Sequence, residues 1–148
     1  MAVVIYFSHG GETLINGEIK KLDIGNTAKL AQLIGKQLGM PTFPILAAIP
    51  YPDSYDQTLQ RSKLDAEKLV AIQPIAVDLR AERDIYIGFP VWWGTLPGAV
   101  DSRRRFLAKS STHFVHMRGA DLAIASKSFM SSSPMQRLRK NYRCAGHE

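Results

Sequence analysis

The sequence predicts an α/β domain built on a parallel sheet. Three observations carry the prediction. Two short apolar runs, Ala2–Phe7 and Ile85–Phe89, lack alternation. A capped helical pattern follows the first of them, and a polar helical pattern precedes the second. Apolar runs without alternation are buried on both faces, as central strands of a parallel sheet are. Strands alternating with helices imply right-handed crossovers.

Each element has its own local reason. "AVVIYF" is β-branched and aromatic, which suits a first strand. The polar, Gly-rich stretch from Ser8 to Ile24 contains Asn16-Gly17 between two extended runs. Asn-Gly suits a type I′ turn, where both central residues need positive φ, so a β-hairpin is expected. Asn26-Thr27 is read as the cap of a helix carrying Leu30, Ile34 and Leu38 at helical spacing, with Gly39 as its stop. "TFPILAAI" at 42–49 reads as the second strand, and its Pro44 suits an edge position. Residues 54–69 read as a polar helix with an apolar stripe at Tyr55, Leu59, Leu64 and Leu69. Another helix is expected to begin at Pro97. No internal repeat is visible.

The 148 residues fit one domain with a real core, and no apolar run approaches the length of a membrane span. The N-terminus lacks a basic n-region and reads as a strand, not a signal peptide. A single cysteine, Cys144, excludes an intramolecular disulfide and fits a reducing compartment, so a cytoplasmic location is expected. The net charge of +6 is uneven. Residues 1–100 hold nine Lys/Arg against ten Asp/Glu, and residues 101–148 hold ten against three. A basic tail ordinarily suggests a nucleic-acid or membrane arm. Here the tail also has Ser clusters, one apolar patch at Leu122–Ala125 and no sustained period, the composition of a disordered segment.

In an open parallel sheet, ligands bind beyond the carboxyl ends of the strands, at the switch point. The loop after the first strand offers Ser8 and, past the hairpin, Gly25, Asn26 and Thr27 at a helix start. Hydroxyls, backbone N–H groups and the helix dipole there make an anion site. The same residue types also make an ordinary cap. The loop after the third strand offers Pro90, Val91, Trp92, Trp93, Gly94 and Thr95. Its indoles offer a flat apolar face to a planar ring, or else pack into the core and over a helix end. His9 has no partner at metal-ligand spacing and reads as a loop histidine. Asp65 and Glu67 read as a solvated helix face, Tyr51-Pro52 as a turn, and Cys144 as inert. No catalytic or metal-binding residue is assigned.

Taken as an ordered set, "YFS", "GNT" a hairpin later, "PYPxxY" and "GFPVWWGTLPGAV" resemble the flavodoxin family over residues 1 to about 100. The match is to members with a short insertion between the serine and the "GNT" of the phosphate loop. The resemblance implies a flavodoxin-like three-layer sandwich with strand order 2-1-3-4-5, and FMN as cofactor. It implies that Ser8, Asn26 and Thr27, with Gly25, hold the phosphate and that Pro90 to Thr95 pack against the isoalloxazine ring. It further implies electron transfer or a flavin-dependent reduction, with a redox partner protein or a nicotinamide donor. No membrane partner is expected from the apolar runs, and the frameshift set out next removes the nucleic-acid reading of the basic tail.

The family pattern next expects a helix beginning "AVxTFLE", then a strand leading to a second ring-side loop "PFxTHEGSGxG", then a last helix and strand. None of these is present. The codons suggest why. Taking the last base of each codon with the first two of the next, residues 113–125 can be recoded as "PFCTHEGSGFGHS". In that frame Phe114-Val115 allows only Cys or Arg, and Met117-Arg118 only Glu or Ala. The region near 133–146 permits "FPNATITKELSVRG". A frameshift between about Gly98 and Arg105 follows, with residues 101–148 an out-of-frame, poorly ordered basic tail. The sheet is then expected to stop after the third strand, leaving it an unpaired apolar edge. Sequencing the gene across codons 98–105 checks this. The expected result is a displaced frame relative to related genes, and an uninterrupted frame with this same tail in related strains refutes it.

Overall fold

The computed structural model describes residues 1–66, 68–94, 96–104, 111–118 and 121–126, with backbone alone for 102–104 and the last two segments. Its elements run β1 (Ala2–Tyr6), β2 (Gly11–Ile15), β3 (Glu18–Leu22), α1 (Asn26–Leu38), β4 (Thr42–Pro44), α2 (Tyr55–Asp65), β5 (Asp84–Pro90), α3 (Gly98–Arg104), β6 (Ser111–Arg118) and β7 (Asp121–Ser126). One sheet has the order β4-β1-β5-β6-β7, and β2 and β3 form a separate hairpin. β1 is parallel to β4 and to β5, with Val4 opposite Thr42 and Tyr86. The expected parallel sheet, with the first strand between the second and third, is therefore present.

Burial on both faces is what the two apolar runs dictate. Val3, Ile5 and Phe7 of the first run and Ile85, Ile87 and Phe89 of β5 belong to one buried cluster with Ile45, Leu79, Leu96, Ala99 and Val100. Val4 and Gly88, one residue out of phase, are also buried. α1 covers that opposite face, completing three layers.

α1 starts and stops near the expected positions, but its inner face differs. Thr27, Ala28, Ala31 and Gly35 are buried, Leu30 and Ile34 flank them, and Leu38 is exposed. Small residues let the helix approach the sheet closely. A methylene-sized addition at Gly88 would lie 3.5 Å from the Thr27 methyl. Gly39 is left-handed, with φ 64°, and its N–H closes the helix on the Gly35 carbonyl. The Asn16-Gly17 turn has φ of 53° and 82°, the two positive values a type I′ turn requires. β4 is an edge strand, as Pro44 suggested, but ends there and does not run to residue 49.

α2 is shorter than the expected 54–69, and its Leu stripe is not its inner face. Leu64 and Leu69 are exposed, while Thr58 and Ser62 are buried. α3 follows Pro97, whose carbonyl accepts the N–H groups of Val100 and Asp101. Glu67, Thr95, Arg105, Cys144 and the residues after 126 lie outside the described residues.

The sheet does not stop at β5, which corrects the expectation of an unpaired edge. β6 runs parallel to β5 from Asp84 opposite Ser111 to Pro90 opposite Met117, and β7 pairs antiparallel with β6. The physical reason lies in the connections. The chain between β5 and β6 is long enough for a parallel crossover and includes α3. Two residues separate β6 from β7, enough for a hairpin and far too few for a crossover. The last strand therefore cannot take the parallel direction of order 2-1-3-4-5.

The two faces assigned here predict opposite responses. Ile87→Ala, at a fully buried core position, should cost about 2–5 kcal/mol in chemical denaturation. Leu64→Ala, on the exposed face of α2, should cost no more than about 0.5 kcal/mol.

Candidate functional site

The loop that leaves β1 returns to the same point after the β2–β3 hairpin. Ser8 Oγ accepts the N–H of Ala28 at 3.1 Å, across twenty residues. α1 is thus capped by Ser8, and not by Asn26 or Thr27 as expected. Its N-cap position is Gly25, extended at φ −63°, ψ 150°. A Cβ at Gly25 would fall 2.2 Å from Ser8 Oγ and 2.4 Å from the His9 carbonyl oxygen, so only glycine admits this contact. Thr27 is buried, Asn26 is exposed, and no acidic residue occupies the first turn. The structure therefore brings Ser8, Gly25, Asn26 and Thr27 together at a helix start. The first N–H groups of a helix lack intrahelical partners and carry partial positive charge.

The loop after β5 divides its tryptophans. Trp92 is half-buried and meets Phe7 edge-on at 5.3 Å and Tyr51 at 5.2 Å between ring centroids. Trp93 is 50% exposed. Its Nε1 donates to Ser62 Oγ at 3.1 Å, and the Lys63 ammonium lies 5.8 Å from its ring centroid. Trp93 and Gly94 have φ of 53° and 73°, which turns the chain back after the strand. Pro90 and Val91 are part-buried, with Val91 against the core, and Thr95 lies outside the described residues. Phe7 joins the two loops, since it precedes Ser8 and packs on Trp92.

Sequence reasoning passed over the group behind these loops. The Tyr51 hydroxyl donates to Asp65 Oδ2 at 2.9 Å. The Arg61 guanidinium lies 4.2 Å from the Tyr51 ring centroid and its Nε is 3.4 Å from Asp65. It also donates to the carbonyls of Ile49 and Pro50. Burial and then the Asp65 hydrogen bond push the Tyr51 phenol well above its ordinary value. Asp65 is consequently a structural partner rather than part of a solvated face. The Arg61/Asp65 spacing of four was the available signal.

His9 lies against Tyr51 and Trp92, with centroids 6.2 Å from each. Its Nε2 is 3.4 Å from Thr58 Oγ1, whose own hydrogen goes to the Pro52 carbonyl at 2.7 Å. Nε2 is then the donor and Nδ1 the free acceptor. Burial lowers the His9 pKa, and Asp53 partly opposes this. The hairpin docks on α2 nearby. Glu12 Oε2 accepts the Tyr55 N–H at 2.9 Å, at the positive end of the helix, and the Glu12 N–H donates to the Asp53 carbonyl at 2.8 Å. Beneath the hairpin lies a cavity of about 500 Å³, reached by Ser8 among the predicted site residues.

No protein-family model matches the chain, and no curated protein does. Solved structures do share its fold. One is the crystal structure of a "putative flavoprotein" from Bacteroides eggerthii DSM 20697, at TM-score 0.62 and 21% identity, covering 81% of this chain and 72% of that one. Another, of the same description from Bacteroides uniformis ATCC 8492, has TM-score 0.59 and 20% identity over 81% of this chain and 73% of its own. The likeness is one of fold. Among the described residues no helix is long and apolar enough to cross a membrane.

The His9 environment sets a pH dependence. Its folded pKa lies below the ordinary 6.5, so its contribution to stability is full above that value and is lost as pH falls through the folded pKa. The wild type should therefore lose more stability than His9→Gln on acidification below about 6.5, measured as the difference between their denaturation midpoints at each pH. Parallel curves would contradict it.

Proposed function

We propose that the chain is a flavodoxin-like FMN-binding protein of the kind with an insertion in its phosphate loop. The observation that carries this reading is the Ser8 hydroxyl seated on the α1 N-terminus across Gly25. The β2–β3 hairpin is the insertion, and it leaves the two ends of the phosphate loop in contact. The residues present fit a phosphate. The loop offers a hydroxyl, the helix start offers N–H groups, and the first turn of α1 has no carboxylate to repel an anion.

Ser8, Gly25, Asn26 and Thr27 would hold the phosphate, and Pro90 to Thr95 would lie along the ring. Bound flavin supplies the redox chemistry, in electron transfer or in a reduction with a redox partner or nicotinamide donor. The chain's own residues bind and orient it. Ser8 donates its hydroxyl hydrogen, and Trp92 and Trp93 present apolar faces. No side chain need act as acid or base. A reducing, cytoplasmic setting accords with the single cysteine.

A second reading is favoured by β7. It stands antiparallel where the family order has a parallel strand, and the second ring-side loop motif is absent from the sequence. Under that reading residues 101–148 are out-of-frame text, and the chain is a truncated product that binds no flavin.

Titration of purified protein with FMN and with riboflavin separates the two. FMN should raise the melting temperature and bind more tightly than riboflavin. Ser8→Ala should weaken FMN about tenfold or more, the worth of a charge-assisted hydrogen bond, and leave riboflavin nearly unchanged. A colourless, aggregating sample with no FMN-induced rise in melting temperature supports the truncated product instead.

A further inference from the structure

We propose that the cavity beneath the hairpin is a second binding site, for a flat, uncharged compound of one or two rings with a single hydrogen-bonding hydroxyl or carbonyl. Its volume of about 500 Å³ falls within the range of small-molecule pockets. Phe7, Ile45 and Ala47, all buried, give it apolar surface. Tyr51 gives it an aromatic wall, held by Asp65 through the hydroxyl and by Arg61 over the ring. A rigid aromatic wall beside an apolar surface selects a flat apolar body.

The rim decides the charge. Lys21 Nζ is 3.9 Å from Asp53 Oδ2, so that pair nearly cancels. Asp23 also lines the cavity, and among the described residues it has no ion-pair partner. The side chains of the rim are left with a net negative charge, which disfavours a carboxylate held within the cavity. His9 and Gln73 offer hydrogen bonds without charge. The burial that lowers the His9 pKa keeps its ring neutral.

This site adjoins the one proposed for FMN and meets it at Ser8, which lines its edge. Neither Asn26 and Thr27 nor Pro90 to Gly94 line it. His9 and Tyr51, which do, pack on Trp92 on the other side and form the partition between cavity and ring loop. The inference needs no flavin, and its test is made on flavin-free protein.

The probes are 2-naphthol and 2-naphthoate, the same two rings with a neutral or a charged group. Backbone amide NMR should show saturable 2-naphthol shifts at Gly10, Gly11, Leu46 and Ala47, with 2-naphthoate at least about tenfold weaker. Ala47→Leu should reduce 2-naphthol binding about tenfold by filling the cavity. Asp23→Lys, at an exposed position that leaves the core untouched, should narrow the preference for naphthol at least about fivefold. FMN should not displace the probe. The inference is overturned by an absence of saturable shifts, by equal binding of the two probes, by a preference that Asp23→Lys leaves unchanged, or by displacement by FMN. Failure of FMN to bind, with naphthol still bound, sinks the flavin reading alone.

Discussion

The contact between Ser8, Gly25 and Ala28 is the constraint on which the rest of this structure turns. β1 ends at Tyr6 and α1 begins at Asn26, with a hairpin between them. One hydroxyl bonded to one backbone N–H returns the helix start to the strand end. A side chain at Gly25 would occupy the space that Ser8 uses. With the helix start fixed, Thr27 falls over Gly88 and the small residues of α1 pack on the sheet. The same geometry that seats the helix leaves its positive end beside a hydroxyl at the carboxyl edge of the sheet, where an α/β fold binds its ligands.

A second group of contacts shapes what surrounds that point. The inner face of α2 is polar, and each polar group has work there. Thr58 serves His9 and Pro52, Ser62 serves Trp93, and Asp65 serves Tyr51 and Arg61. Glu12 ties the hairpin to the start of the same helix. The result is a pair of rings, His9 and Tyr51, that line the hairpin cavity and pack against Trp92 of the loop after β5. α2 thus positions His9, Tyr51 and Trp93 through its own polar side chains.

The central strands, the hairpin turn and the edge strand were legible because each rests on a local rule. An apolar run without alternation, an Asn-Gly pair and a proline in a strand have few other uses. The helix faces were misread because hydrophobicity was taken as the guide to burial. α1 buries Ala31 and Gly35 for close approach, and α2 buries Thr58 and Ser62 because they have hydrogen-bond partners. Neither condition shows in a hydropathy pattern. Ser8, Gly25, Asn26 and Thr27 were found as a set, but the capping role fell to Ser8, twenty residues from the N–H it meets. Tyr51 and His9 were read as a turn and a loop residue without their partners, because Asp65 and Thr58 lie on another element. The strands after β5 were missed because the composition of the basic segment reads as disorder. The backbone pairing of β6 with β5 is a property of the sheet edge as much as of the residues that fill it.

The positive charge at the start of α1 decides whether an anion binds beside Ser8. Its most direct test is the backbone amide NMR of Asn26, Thr27 and Ala28 during addition of inorganic phosphate. Saturable shifts at these amides, abolished by Gly25→Ala and retained in Trp93→Ala, are the predicted result. Amides that do not respond, or a response indifferent to Gly25→Ala, would contradict it.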